Sequence, residues 1–130
     1  MQKSAIRLAR RATRRTLRAE LRSRSAATRL AASCRRRPRS LTTVAIAAGV
    51  DRESASDVAD GLRAVAARLD VKPVETARTR RTVAGGRADR TRNVGHWTLA
   101  QVALLVSSYR PRKATRIAAA ARLVAFTAAA

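Results

Sequence analysis

The net charge of +21 on this 130-residue chain is distributed so unevenly that only part of the sequence is suited to an apolar core. Residues 1–40 carry fourteen Lys or Arg and one acidic residue, and residues 76–116 carry ten and one. The stretch between them, residues 41–75, carries four basic and six acidic side chains. The sequence therefore predicts a nearly neutral module flanked by two basic segments.

Aromatic side chains are rare, with a single Phe, a single Trp and a single Tyr. The core must be built mainly from Ala, Val and Leu, which bury less area per residue than aromatic side chains do. We therefore expect one small domain of modest stability, with basic extensions that are partly disordered when the protein is alone.

A positive charge of this size attracts polyanions, so nucleic acid is the first partner to consider and an anionic membrane surface is the second. The longest stretch without Asp, Glu, Lys or Arg, residues 93–109, has 17 residues and includes several polar side chains, whereas a helix that spans a bilayer needs about 20 predominantly apolar residues. The basic segments also carry few bulky apolar residues that could enter a membrane surface. The sequence thus favours nucleic acid and predicts no transmembrane segment.

Catalytic and metal-binding chemistry lacks a suitable set of residues. Cys34 is the only cysteine and His96 the only histidine, so no zinc site or disulfide framework is expected. The eight acidic residues offer no paired carboxylates, and Gly85-Gly86 lacks the Lys-Ser/Thr ending of a phosphate-binding loop. Neighbouring arginines are expected to lower the pKa of the Cys34 thiol and make it reactive, although a lone cysteine in a disordered basic arm is most often incidental. We expect no enzymatic activity, no metal and no cofactor.

The N-terminal segment has the composition of a helix, since residues 3–33 contain neither Pro nor Gly and are rich in Ala, Arg and Leu. Arginines occupy much of its surface, so mutual repulsion is expected to keep it partly unfolded until a polyanion neutralises it. Pro38 is expected to prevent continuation of the helix. The Arg-rich, Ser-rich and acidic-poor character also fits an organelle transit peptide, and both interpretations stay open.

Two helices are predicted within residues 40–69. The first spans about Leu41 to Ala48 with Ser40 as its N-cap, and Gly49 supplies the positive φ of a tight helix exit. The second begins after Asp51, which is its N-cap. Its apolar side chains recur at helical spacing over four turns, at Ala55, Val58, Ala59, Leu62, Val65, Ala66 and Leu69.

Ten residues of this module carry a resemblance to a known family: Leu41, Val44, Ala45, Ala48, Gly49, Val50, Ser54, Ala55, Ser56 and Val58. In this order and spacing they resemble the helix-turn-helix of the lactose-repressor family, over residues 41–60 only. Small residues at the turn let the two helices cross closely, and valines fill the angle between them.

The resemblance implies that the second helix lies in the major groove of DNA, with its N-terminal residues on base edges. Arg52, Glu53 and Ser56 would then face bases, and Ser54 would approach a phosphate. An acidic stripe on the same helix repels phosphates, so basic arms would supply most of the attraction. Its members are Glu53, Asp57 and Asp60. The alternative is a helical pair used only for packing or protein contact.

Residues 70–96 are interpreted as a basic connector. Gly85-Gly86 could turn a β-hairpin, which would form a wing beside the two helices. The alternating positions are Thr and Arg more than apolar residues, which favours a disordered loop over the hairpin. In either form the connector would carry arginines to phosphates, namely Arg78, Arg80, Arg81, Arg87, Arg90 and Arg92.

The C-terminal segment predicts two more helices. Thr98 and Gln101 have the spacing of a capping box, and a helix from Leu99 to Ser108 should follow. This helix is too apolar to stay exposed, so it is expected to pack on the central module or, in a homodimer, on a second copy of the chain. A last helix spans Arg112 to about Ala128. Its predicted apolar face consists of Ile117, Ala121, Val124 and Ala125.

The turn between these two helices is strongly basic and contains Arg110, Arg112, Lys113 and Arg116. Beside the N-terminus of the last helix, these side chains form a candidate phosphate clamp. A solvated charged turn is the alternative.

Together these patterns predict an all-α protein with a central helix-turn-helix, a C-terminal helical hairpin and Arg-rich, partly disordered arms, with a small β wing as the alternative to the loop. The expected divisions are residues 1–39, 40–70, 71–96 and 97–130. The expected function is a small duplex-DNA-binding regulator, or a plasmid or phage maintenance factor, in the cytoplasm at the nucleoid. Phosphate contacts are expected from Ser54, Arg14, Arg15, Arg36, Arg78, Arg80, Arg81, Arg87, Arg110, Arg112 and Lys113.

The alternative function is that of a structural RNA-binding or ribosome-associated protein, whose Arg-rich tails thread between RNA helices. A mitochondrial location is compatible with it if residues 1 to about 39 are a cleaved transit peptide.

Overall fold

The computed structural model describes residues 2–129, which are mainly α-helical. These residues form α1 (Gln2–Arg36), α2 (Leu41–Ala47), α3 (Arg52–Leu69), β1 (Glu75–Val83), β2 (Gly86–His96), α4 (Leu99–Ser108) and α5 (Ala114–Ala128). The chain divides between Leu30 and Ala31 into two compact units. The expectation of a mainly helical protein is confirmed, and the two strands form the small β element that the sequence left open as an alternative.

Helix α1 is continuous and ends at Arg36, two residues before Pro38, as the restricted backbone around proline predicts. Its side chains are exposed from Gln2 to Arg29. No helix among residues 2–129 combines the length and the apolar character needed to cross a bilayer.

The last turn of α1 belongs to the larger unit and brings Cys34 into its core. Burial raises the pKa of the Cys34 thiol, and this effect outweighs the opposing charges of Arg39 and Arg35. The expectation of a reactive thiol with a lowered pKa is therefore wrong. The prediction failed because the sequence shows the arginines next to Cys34 but not the burial of Cys34 in the core.

The turn between α2 and α3 is built by local capping. The Ser40 hydroxyl accepts a hydrogen bond from the Thr43 amide at 3.2 Å, and the Asp51 carboxylate accepts one from the Ser54 amide at 3.1 Å. The second bond lowers the pKa of the Asp51 carboxyl because it favours the charged form. Gly49 has a φ of 94°, a backbone conformation that a residue with a Cβ adopts only with strain. Both predicted caps and the glycine turn are confirmed.

Helix α3 is the centre of the larger unit, since it packs against α2, α4 and α5. The side of α3 that the sequence assigned to the core is buried, apart from Leu69, which is exposed at its C-terminal end. The core consists of Cys34, Leu41, Val44, Ala45, Val50, Ala55, Val58, Ala59, Leu62, Val65, Ala66, Trp97, Val102, Leu105, Val106, Ala119 and Leu123. No charged or polar residue is fully buried among the described residues.

Strands β1 and β2 form an antiparallel hairpin. The prediction of a disordered loop for this segment is therefore wrong, and the alternative prediction of a β-hairpin is correct. Val83 pairs with Gly86 across a turn formed by Ala84 and Gly85, where Gly85 has a φ of 82°. The turn thus lies one residue before the predicted Gly85-Gly86, and Gly86 belongs to β2. Backbone pairing between Arg39 and Trp97 ties the base of the hairpin to the segment before α2. The pattern of Thr and Arg misled the prediction because most side chains of this hairpin are exposed on both faces and need not be apolar.

The ladder is irregular near the tip of the hairpin. Arg80 pairs with Thr91, and the next pair is Thr82 with Arg87. Arg81 of β1 consequently stands opposite three residues of β2, residues 88–90. Such a bulge bends the hairpin and re-aims the side chains beside it.

Helix α4 begins with the predicted capping box, in which Thr98 and Gln101 each satisfy the other's backbone amide. Its Val102, Leu105 and Val106 side chains are buried within the same chain, so that face is occupied without a second copy.

Helix α5 buries Ala119 and Leu123, one turn apart. Ile117 and Val124, which the sequence assigned to its apolar face, are 51% and 53% exposed. That predicted face is wrong. In a helix rich in alanine on all sides, apolar spacing does not single out the side that meets a partner.

Gly61 allows a close approach between α3 and the end of α4. A Cβ built at Gly61 would lie 2.7 Å from Cε2 of Tyr109. Ala is the better helix former by about 1 kcal/mol, but forcing the ring away costs about 1–3 kcal/mol. We expect Gly61→Ala to destabilise the protein by about 1 kcal/mol in urea denaturation.

The control is the same substitution in a Tyr109→Ala background, where the obstacle is gone and Gly61→Ala should stabilise the protein. A stabilising Gly61→Ala in the otherwise unchanged protein would contradict the close packing of this pair.

Candidate nucleic-acid interface

One edge of α3 faces an open cleft. Arg52, Ser56 and Arg63 line it together with Thr42 and Ile46 of α2. At about 100° per residue, positions 4 and 11 residues after Arg52 lie within roughly 40° of it around the helix. Two of the three side chains that the sequence assigned to base contacts, Arg52 and Ser56, thus share one edge with Arg63, which the prediction did not include. Glu53, the third, does not line the cleft.

The hairpin forms the opposite wall of this cleft. Arg81 of β1 and Arg92 of β2 line it, and its volume is about 540 Å³. An adjoining cleft shares both arginines and adds Arg39 and Arg80. The surface therefore gathers Arg39, Arg52, Arg63, Arg80, Arg81 and Arg92 from three parts of the chain.

Acidic residues weaken this positive surface less than the predicted stripe on α3 suggested. Asp60 is the one carboxylate that lines the cleft, and its Oδ1 accepts a hydrogen bond from Arg63 at 2.7 Å. Asp57 is half-buried about 140° around the helix from Arg52. The pKa of Tyr109 is raised, mainly by burial. The charge of Arg116 lowers this pKa, and the negative charge of Asp57 raises it. Glu53 remains exposed beside the cleft.

Ser54 lies on another side of α3 than Ser56. It is half-buried and lines a second, smaller cleft with Thr115 and Arg122 of α5. Arg122 donates a hydrogen bond to the Gly49 carbonyl at 3.1 Å, which links α5 to the turn before α3. The structure therefore separates Ser54 from the arginine-lined cleft.

Five other predicted phosphate contacts are absent from the lining of the two arginine-lined clefts. Arg78 and Arg87 are exposed on the hairpin, and Arg36 is exposed at the end of α1. Arg14 and Arg15 are exposed in the unit that ends at Leu30.

Only some of the side chains in the predicted phosphate clamp between α4 and α5 are free to contact a phosphate. Arg110 donates hydrogen bonds to the carbonyls of Ser107 and Tyr109, so it caps the end of α4. Arg112 and Lys113 are exposed before α5. Arg116 is half-buried, and its Nε has no hydrogen-bond partner within residues 2–129.

A helical projection of α3 could have identified Arg63, because it lies three turns after Arg52 on the same edge. Arg92 was among the arginines of the connector, but its selection over Arg87 required the strand register. The alternation of the strand places Arg92, Val94 and His96 on one face, and all three line the adjoining cleft.

The arrangement has the electrostatic and hydrogen-bonding groups needed to hold a polyanion. Within the described part of the chain, no group of three or more His, Cys, Asp or Glu side chains is suited to a metal ion. The chain matches no protein-family model, no curated protein and no solved structure.

Proposed function

We propose that the protein is a small nucleic-acid-binding protein whose favoured ligand is duplex DNA. The observation that carries the proposal is the open surface on which six arginines face one carboxylate. A concave surface of one sign concentrates its electric field, and arginine donates several hydrogen bonds to phosphate oxygens.

In this proposal α2 and α3 act as a helix-turn-helix. The tight turn at Gly49 and the exposed edge of α3 support this role, because a recognition helix must present its N-terminal part to the ligand. Arg52, Glu53 and Ser56 read base edges in the major groove, which is about 12 Å wide and admits a helix.

The hairpin acts as a wing that contacts the backbone beside that groove. Arg80, Arg81 and Arg92 bind phosphates without regard to sequence. The backbone pairing of Arg39 with Trp97 supports this role, since it ties the base of the hairpin to the helices. Arg78, Arg87 and the α4–α5 turn add attraction through their charge.

Double-stranded DNA is favoured over double-stranded RNA because of groove shape. The major groove of an RNA helix is deep and too narrow for side chains to read, whereas that of B-DNA is open to a helix. A regulator, or a plasmid or phage maintenance factor, at the nucleoid is the role that such a small reader would fill.

The test is selection against a random duplex library at about 0.2 M salt with excess non-specific competitor, which suppresses phosphate attraction. Enrichment of a defined motif supports the proposal, and a palindrome within it would indicate a dimer. Binding that only disappears as the salt concentration rises, without enrichment, would contradict base reading and favour the structural RNA-binding role.

Replacing Arg52 by Ala is expected to relax specificity at one position of the selected motif, at a cost of about 1–3 kcal/mol for the preferred base. Competition titrations with single-base variants of the motif measure this effect. Arg81→Ala is the control, because losing a phosphate contact should weaken binding to all sequences alike. Equal weakening of all sequences by Arg52→Ala would contradict its role in base reading.

A further inference from the structure

Helix α1 carries its positive charge on one side. Ten basic residues lie between Gln2 and Leu30, and at about 100° per residue nine of them fall within an arc of roughly 140°. Arg24 is the exception. The nine residues of this basic face are Lys3, Arg7, Arg10, Arg11, Arg14, Arg15, Arg18, Arg22 and Arg29. The basic residues of α1 therefore lie on one side of the helix rather than all around it.

The side of α1 opposite the basic face is uncharged apart from Glu20 and Arg24, and most of its residues are small. It contains Ala5, Ala9, Ala12, Thr16, Ala19 and Ala27. Every side chain from Gln2 to Arg29 is exposed, and none of them forms an ion pair within residues 2–129. The basic face is thus a separate surface of unneutralised charge.

We propose that the basic face of α1 binds the phosphate backbone of a nucleic-acid duplex, without reading bases. From Lys3 to Arg29 the face is about 40 Å long at 1.5 Å per residue. Along the axis of a DNA duplex, one strand places about 12 phosphates over that length, at 3.4 Å of axial rise each. Nine cations over the same distance nearly match that density of negative charge.

The one-sided arrangement argues for a ligand that approaches from one direction. Binding neutralises cations that otherwise repel one another, which favours the helix in the complex. An anionic membrane fits less well, because interfacial helices bury a row of Trp, Phe or Leu, whereas on the uncharged side of α1 Ile6, Leu8 and Leu17 are scattered among Ala and Thr. This inference rests on the proposed binding of nucleic acid but not on base reading by α3.

A permuted variant of the full chain separates the sidedness of the charge from its amount. It exchanges three neighbouring pairs: Arg11→Ala with Ala12→Arg, Arg15→Thr with Thr16→Arg, and Arg18→Ala with Ala19→Arg. Composition and the net charge of +21 stay the same. Because consecutive residues lie about 100° apart, three charges move to the uncharged side.

The expected result is a loss of at least about tenfold in affinity for a duplex of random sequence at 0.1 M salt, and a salt slope shallower by about 3. Anisotropy titrations at several salt concentrations measure both, and circular dichroism checks that the helical content is unchanged. Unaltered affinity and slope in the permuted variant would overturn the proposal, because net charge alone would then account for binding.

Two further outcomes are decisive. The permuted variant should select the same motif as the unchanged protein, whereas Arg52→Ala alters the motif and keeps the slope, so failures of α1 and α3 are distinguishable. Vesicles that contain phosphatidylserine provide the competing ligand. If the permutation weakens vesicle binding and leaves duplex binding intact, the basic face is a membrane surface and the proposal is wrong.

Discussion

A variant with both Arg81→Gln and Arg92→Gln is expected to bind duplex DNA about 100-fold more weakly than the unchanged protein at 0.1 M salt. Both guanidinium groups line the wall of the cleft that faces α3. Each lost phosphate contact removes about 0.9 from the slope of log affinity against log salt, so the slope should become shallower by about 2. Anisotropy titrations across a salt series measure both quantities.

The matched control is the variant Arg78→Gln with Arg87→Gln. It removes the same charge from the same two strands, but both side chains lie outside the arginine-lined clefts. We expect a loss of only a few-fold, since these residues act through general attraction. Equal losses in the two double variants would show that the net charge of the hairpin, rather than the cleft, determines affinity.

Replacing Leu62 by Ala is expected to lower the free energy of unfolding by about 3 kcal/mol. Leu62 is fully buried in α3, the helix against which α2, α4 and α5 pack. Its removal leaves a cavity that a core of small side chains cannot easily refill. A unit of this size has about 5–15 kcal/mol of stability in total, so the loss should lower the urea midpoint markedly.

Leu104→Ala provides the comparison, because Leu104 lies on α4 and is 50% exposed. Its replacement should change the free energy of unfolding by about 0.5 kcal/mol or less. Urea denaturation followed by circular dichroism measures both variants. If Leu104→Ala proved as destabilising as Leu62→Ala, Leu104 would have to be buried in solution, which a dimer through α4 would explain.

Helix ends could be predicted closely because capping is a local interaction. Ser40, Asp51 and Thr98 each accept a hydrogen bond from an amide three residues later, and a window of four residues is enough to show this. The positive φ of Gly49 follows from the same short-range geometry. These elements fix where α2, α3 and α4 begin.

The surroundings of side chains could not be predicted in the same way. Burial of Cys34 requires the end of α1 to meet the core, and the buried side of α5 is set by what packs on it. Arg63 and Arg92 lie on one cleft although 29 positions separate them, because the hairpin folds back toward α3. None of these three relations is encoded in a local pattern of residue types.

By itself the sequence determined a mainly helical chain, the ends of its central helices and the separation of charge into basic segments around a nearly neutral module. These properties depend on hydrogen bonds and helix propensities within a few residues, and on the composition itself. Only the tertiary structure decided that the connector pairs as a hairpin, and that its Arg81 and Arg92 stand opposite Arg52 and Arg63. Strand pairing and cleft formation depend on contacts between distant residues, whose partners are known only when the chain has folded.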